Sequence, residues 1–299
     1  MKLSRLTFHF LSLIFLLPTI CFYSCEDDLF SSDPEKVLSF STDTLTFDTV
    51  FTTIGSTTEK LMVYNPNNRA LKISSIALVG GARSQFRINV DGNLSTDNQF
   101  TDVEIRAKDS MYIFVEVTVD PRDVNAPVLV TDSVVFRTNG VEQKVRLEAF
   151  GQDMILFQNK LILNDTTLSA DKPYLIFGNL TVDSAKTLHL PAGCRLYFHN
   201  NANLMVRGNL RAEGTFDKPV LLRGDRLDKA KFLYPVPYNY VAGQWGGVYL
   251  LWNKGNHLLR NVNINSGYVG VYMNNSDRSQ LPELRIENCR IHNFVYYGL

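Results

Sequence analysis

Cysteine is scarce, with four residues in 299, at positions 21, 25, 194 and 289. Two fall in the first 25 residues and two lie far apart later, so neither a disulfide framework nor a metal-cluster spacing arises from them. A charge bias is lacking as well. Lys plus Arg and Asp plus Glu stand at 30 each, and removing Lys2 and Arg5 with a cleaved leader leaves 28 against 30. A nucleic-acid binder needs a basic face to displace counterions from phosphates, and this balance excludes a nucleic-acid partner. Beyond the leader no segment sustains a 3.6-residue apolar period, and there is no Gly-x-Ser-x-Gly element and no phosphate-binding glycine loop. What remains is a chain with 45% hydrophobic and 20% charged residues, a globular composition long enough for two cores.

The first 24 residues have the parts of an export signal: basic Lys2 and Arg5, an apolar stretch from Leu6 to Ile20, and uncharged residues up to Cys25. Phe22-Tyr23-Ser24-Cys25 resembles a bacterial lipobox, with Phe22 where Leu is usual. The resemblance implies acylation of Cys25 and cleavage before it. Cys21 is the alternative site, and an ordinary cleaved signal or an uncleaved anchor is the alternative reading. Residues 25–36 read as an acidic tether, in which like charges extend the chain. Glu26-Asp27-Asp28 resembles the export tag of Bacteroides-type outer-membrane lipoproteins. That implies a lipid-anchored outer-membrane protein at the cell surface, with the periplasmic face as the alternative.

Residues 37–151 alternate apolar and polar side chains in short runs: Leu38 to Phe40, Thr44 to Asp48, Glu59 to Tyr64, Leu71 to Leu78, Phe86 to Val90, Met111 to Val119, Thr131 to Arg137 and Lys144 to Phe150. A period of two means strands, and Asn139-Gly140 between two of them is a hairpin turn. The expected fold is an immunoglobulin-like β-sandwich. Phe47-Asp48-Thr49-Val50, Gly55, Val63-Tyr64-Asn65 and Leu71-Lys72-Ile73-Ser74-Ser75-Ile76 resemble the Hydin-type immunoglobulin-like domains. Such a domain implies a spacer or docking module.

Residues 152–299 carry repeats. Leu180-Thr-Val182, Leu188-His-Leu190, Leu196-Tyr-Phe198 and Leu204-Met-Val206 recur every eight residues, and Asn261 to Ile264 with Gly270-Val271 matches Asn288 to Ile291 with Gly298-Leu299. In a strand the first and third residues share a side, so Leu180 and Val182 are expected inward and Thr181 outward. Three such strands per turn give a right-handed parallel β-helix, each coil burying its apolar residues against its neighbours. Thr187 to Gly193, Leu196 to His199, Arg211 to Thr215 and Trp245-Gly-Gly-Val248 resemble the pectin-lyase-like β-helix proteins of bacterial surfaces. The chain stops at Leu299 within a repeat, so further coils are expected beyond it.

The whole fold is therefore expected to be all-β, and the open question is chemistry. The charged segment Arg223 to Lys229 reads first as a solvated loop. Asp183, Glu213, Asp217, Glu283 and Glu287 fall at different phases of the repeat, so no outward carboxylate pair recurs at the coil period. His189, His199, His257 and His292 lack ligand spacing, and Cys194 and Cys289 read as core fillers. No catalytic residue, metal ligand or cofactor is expected. The segment Phe232 to Tyr240, ending at Trp245, concentrates aromatic rings and prolines. Tyr234, Tyr238, Tyr240 and Trp245 are the candidate ligand platform, with a lid over the solenoid as the alternative. Three readings follow. The first is a non-catalytic cell-envelope lipoprotein with a binding or adhesive β-helix that takes polysaccharide or a surface protein. The second is a polysaccharide lyase or glycoside hydrolase with active residues beyond Leu299, and the third is a structural or assembly subunit.

Overall fold

The computed structural model describes residues 30–231, 233–251, 255–274 and 283–299; the export signal, Cys21, Cys25 and the acidic triplet lie outside them. Among the described residues the chain is all-β, with two short 3₁₀ turns at Gly81–Arg83 and Tyr238–Tyr240. By contacts it divides into two compact units. One holds the residues up to Leu45, Thr58–Val115 and Asp132–Leu147; the other holds Thr46–Thr57, Glu116–Thr131 and Glu148–Leu299.

Two antiparallel sheets form the sandwich. In one the order is Ser39–Phe40, Glu59–Tyr64, Ser110–Val117, Phe86–Val90, Asn93–Leu94; in the other it is Thr44–Phe51, Val141–Gln152, Val128–Thr138, Leu71–Leu78, Gln99–Ile105. Alternation decides what most strands bury: Leu61, Val63, Phe86, Ile113 and Phe136 are fully buried, and in Leu71–Leu78 an irregularity between Ile73 and Ser75 lets Ile73 and Ile76 both face inward. Asn139 and Gly140 both take positive φ, at 53° and 80°, the backbone that a two-residue hairpin needs to match strand twist. Asn65, at the end of its strand, is 1% exposed. Its amide donates to the Arg69, Ile105 and Arg106 carbonyls at 2.8, 3.2 and 2.9 Å, and its oxygen accepts the Asn67 N–H at 3.0 Å. A buried amide satisfied on both sides is a structural pin.

The strand Gln99–Ile105 has no counterpart among the sequence expectations. It is an edge strand against Leu71–Leu78, in one register on both sides of Asp102, which lies at φ 55°. Its half-buried residues, Phe100 and Val103, stand three apart around that positive φ, which breaks the two-residue period by which strands are read.

The second fold element is a parallel β-helix of three stacked sheets. The first contains Ile155–Gln158, Tyr174–Phe177, Arg195–Phe198, Val220–Gly224, Val262–Asn265 and Arg290–His292. Leu161–Ile162, Asn179–Val182, Asn203–Val206, Gly247–Leu250 and Val271–Met273 form the second. Thr166–Thr167, Thr187–Pro191, Asn209–Glu213, Asn256–Arg260 and Glu283–Glu287 form the third. Register follows the inward residues: Leu180 pairs with Leu204, Leu204 with Val248 and Val248 with Val271, and all four are buried. Leu196 and Val182 are likewise fully buried, while Thr181 is half-exposed. Each such apolar side chain contributes about 1.5–3 kcal/mol on leaving water. At the corners Asn201, Asn261, Asn288 and Asn293 take φ between 47° and 63°, a region Asn tolerates, which explains why Asn261 and Asn288 mark the repeat.

One coil is enlarged. The chain advances 24 residues from Leu180 to Leu204 but 44 from Leu204 to Val248. The extra length includes the aromatic segment.

Candidate functional site

The enlarged coil leaves the first parallel sheet after Val220–Gly224, makes a two-stranded antiparallel ribbon from Lys229–Lys231 and Pro235–Pro237, then turns through Tyr238–Tyr240. An ion pair fixes its base. Arg226 donates to both oxygens of Asp228 at 2.7 and 2.6 Å, which holds the guanidinium charge more firmly than usual. The same guanidinium lies 4.1 Å over the Tyr238 ring, and the Tyr238 N–H donates to the Asp228 carbonyl.

The four platform residues expected from the sequence do not share a surface. Trp245 is fully buried, stacked on Phe198 at 4.3 Å, and its indole N–H donates to the Asn265 carbonyl at 2.8 Å. It is a core residue: its large ring lies inside the coil with the buried apolar side chains of the β-helix. Tyr238 has a face occupied by Arg226. Tyr234 is 75% exposed beside the ribbon and Tyr240 61% exposed on the turn.

Tyr240 instead meets residues that the sequence reading passed over. Its ring lies 6.4 Å from His292, and the Asn293 amide donates to the Asn239 carbonyl. Gly243, at φ 78°, lies against Tyr268 and Val295, where an added Cβ would stand 3.5 and 3.2 Å from their side chains. Tyr268 and Tyr296 sit at equivalent places on consecutive coils: the Tyr296 N–H donates to the Tyr268 carbonyl at 3.0 Å, and the rings lie 6.1 Å apart, tilted by 32°. Tyr268 is 36% and Tyr296 70% exposed. The signal for them was present in the longer repeat, since each stands two residues before its repeat glycine, Gly270 or Gly298.

A strip of polar groups adjoins this corner. Asn263 Oδ1 accepts the Asn265 amide at 3.1 Å and faces His292 Nε2 at 3.2 Å. Nearby acids are engaged: His199 Nδ1 lies 2.7 Å from Asp225, with Phe177 stacked on the imidazole at 4.2 Å. Arg223 is tied to the Gly224 and Arg226 carbonyls, and burial lowers its pKa. These contacts hold the loop in place.

On the third sheet the expectation of unphased carboxylates fails. Glu213 pairs in register with Arg260, and Arg260 with Glu287, so two glutamates share one outward column with an arginine between them. The enlarged coil hid their phase. Arg211 binds Glu213 at 2.9 Å and Arg260 binds Glu287 at 2.7 Å, and each contact holds the carboxyl below its ordinary range. His189 also reaches Glu213, at 3.1 Å. Cys194 is buried, its thiol pushed up to about 12, and Cys289 packs against the core. Cys25 lies outside the described residues.

No protein-family model and no curated protein matches the chain. Solved structures similar to it include the PapD-like domain 7 of human CEP192, at 12% identity over 44% of this chain and 94% of that one, TM-score 0.26. The Vibrio cholerae VesB protease matches at 12% identity over 38% of this chain and 31% of its own length, TM-score 0.26. The E. coli chaperone DraB matches at 12% identity over 39% and 55%, TM-score 0.26. This chain thus spans less than two thirds of VesB and of DraB. Scores of this size carry no inference, and the architecture stands on the strand pairing alone.

Proposed function

We propose that the chain is a non-catalytic cell-envelope lipoprotein of the Bacteroides type, acylated at Cys25 and held at the outer membrane. In this reading a Hydin-type sandwich spaces a pectin-lyase-like β-helix whose flank binds glycan. The observation that carries the binding half is the exposed pair Tyr268 and Tyr296, side by side on consecutive coils with Tyr240 at the same corner. Ring faces at coil spacing suit the apolar faces of successive sugars, and the adjoining amides and imidazole suit their hydroxyls. The non-catalytic half is supported by the side-chain contacts that occupy Asp225, Asp228, Glu213 and Glu287. A general acid or nucleophilic carboxylate would need a face left open to substrate.

A glycan array probed with the purified chain tests the binding half: retention on at least one polysaccharide is expected, and retention on none contradicts it. The anchor rests on Ser24-Cys25 after the apolar leader. Labelled palmitate is expected to enter the parent chain and not Cys25→Ser, which stays unprocessed; normal maturation of that variant contradicts the assignment.

A further inference from the structure

Three segments of the sandwich, all within one compact unit, converge on a cleft that the glycan reading does not use. The cleft holds about 310 Å³. Its walls are Ser31 and Lys36 from the entering chain, Asn68 and Arg69 from the turn after Glu59–Tyr64, and Lys108 from the turn after Gln99–Ile105. Hydrogen bonds fix the three segments to one another. The Ser31 N–H donates to the Ala70 carbonyl at 2.9 Å, and the Lys108 N–H to the Asn67 carbonyl at 3.1 Å. The Asn139 amide donates to the Asp33 and Lys36 carbonyls at 2.9 and 3.1 Å, and the Asn67 amide to the Val37 carbonyl at 3.1 Å. Asn65, the buried pin, ties the second turn to the third, so the frame is set before any ligand arrives.

Each segment brings one cation. Lys36, Arg69 and Lys108 are exposed, and none of them is ion-paired among the described residues. Lys108 donates to the Pro66 carbonyl at 2.7 Å, which holds its ammonium at the cleft and leaves two protons to give. Asp109 lines an adjoining cleft of about 370 Å³, bordered by Tyr64, Pro66 and Lys108, and its carboxylate accepts the Ser110 N–H at 2.8 Å. A cleft lined by charges of one sign concentrates counter-ions. We propose that this one binds a phosphate group. A phosphate monoester carries about 1.5 to 2 negative charges at neutral pH and three acceptor oxygens, and the guanidinium fork matches two of them. A carboxylate brings less charge and fewer acceptors to the same three cations. The adjoining cleft, with Tyr64 on its wall, leaves room for the group that carries the phosphate.

The test is inorganic phosphate titrated into the purified full chain and followed by phosphorus NMR. The resonance is expected to broaden saturably, and Lys36→Gln with Arg69→Gln to weaken binding by roughly tenfold or more at an unchanged melting temperature. Lys108→Gln alone should weaken it too, which keeps the idea testable if the double variant fails to fold. Lys144→Gln, paired with Glu142 away from the cleft walls, should bind as the parent does. Competition reads the source of the phosphate. Release by vesicles of phosphatidylcholine and phosphatidic acid in equal parts, and not by phosphatidylcholine alone, assigns a lipid headgroup. Release by glucose 6-phosphate and by neither vesicle assigns a soluble ester. No broadening, equal binding in every variant, or equal release by acetate at matched ionic strength overturns the proposal. So does binding that appears only with Glu26→Gln, Asp27→Asn and Asp28→Asn, because the chain's own carboxylates would then be the occupant. The cleft shares no residue with Tyr240, Tyr268 or Tyr296, so its failure leaves the glycan reading standing.

Discussion

His257 occupies an inward position that its neighbours on the stack give to leucine: it pairs with Leu284, and its Nδ1 accepts the Leu210 N–H at 3.2 Å. That bond leaves the ring proton on Nε2, which has no hydrogen-bond partner among the described residues. Burial pushes the imidazole from 6.5 down to about 4. The depressed value means that the folded state favours the neutral ring, so its stability is full above the unfolded pKa and is lost as pH falls. The window runs from 6.5 to about 4, where the unfolded chain binds the proton first. A shift of this size corresponds to about 3 kcal/mol at most. Melting temperatures of the parent are therefore expected to drop across that window, and His257→Leu should flatten the drop relative to the parent. Parallel curves for the two would show that His257 does not titrate there. Single residues were also where sequence reading went furthest astray. Trp245 reads as part of an aromatic loop, and only its stacking on Phe198 shows that its ring fills the interior.

At the scale of strands, the two-residue period makes most of the sandwich legible, and the eight-residue interval alone places the inward columns. Glu59–Tyr64, Leu71–Leu78 and Phe86–Val90 have the expected bounds. What escaped has a common cause, a break in the period: the positive φ at Asp102 interrupts the alternation of an edge strand, and the 44-residue coil hid the column of Glu213, Arg260 and Glu287. The inward and outward assignment is open to a direct check. Leu196→Asp places an unpaired carboxylate between coils and should cost several kcal/mol, on the order of 4. Thr181→Asp, on the half-exposed side, should stay within about 0.5 kcal/mol. Equal losses in denaturant unfolding would mean that the two positions face alike.

For the molecule as a whole, the sequence told the architecture and left the binding corner to be found, because the corner is assembled from three coils. Tyr240 comes from the enlarged coil, Tyr268 from the next turn and Tyr296 from the one after. No window of the sequence contains all three. The most direct measurement is calorimetric titration of the array-selected glycan into the parent and into Tyr268→Ala with Tyr296→Ala. Stacking on an aromatic face is worth about 0.5–1.5 kcal/mol per ring beyond area burial. Loss of two rings should therefore weaken affinity by roughly ten- to a hundredfold, as each 1.4 kcal/mol is about a factor of ten. Tyr268 and Tyr296 stand on the outside of the coils, so the melting temperature should barely move. Unchanged affinity together with a sharp fall in melting temperature would make these rings packing residues and contradict the glycan-binding account.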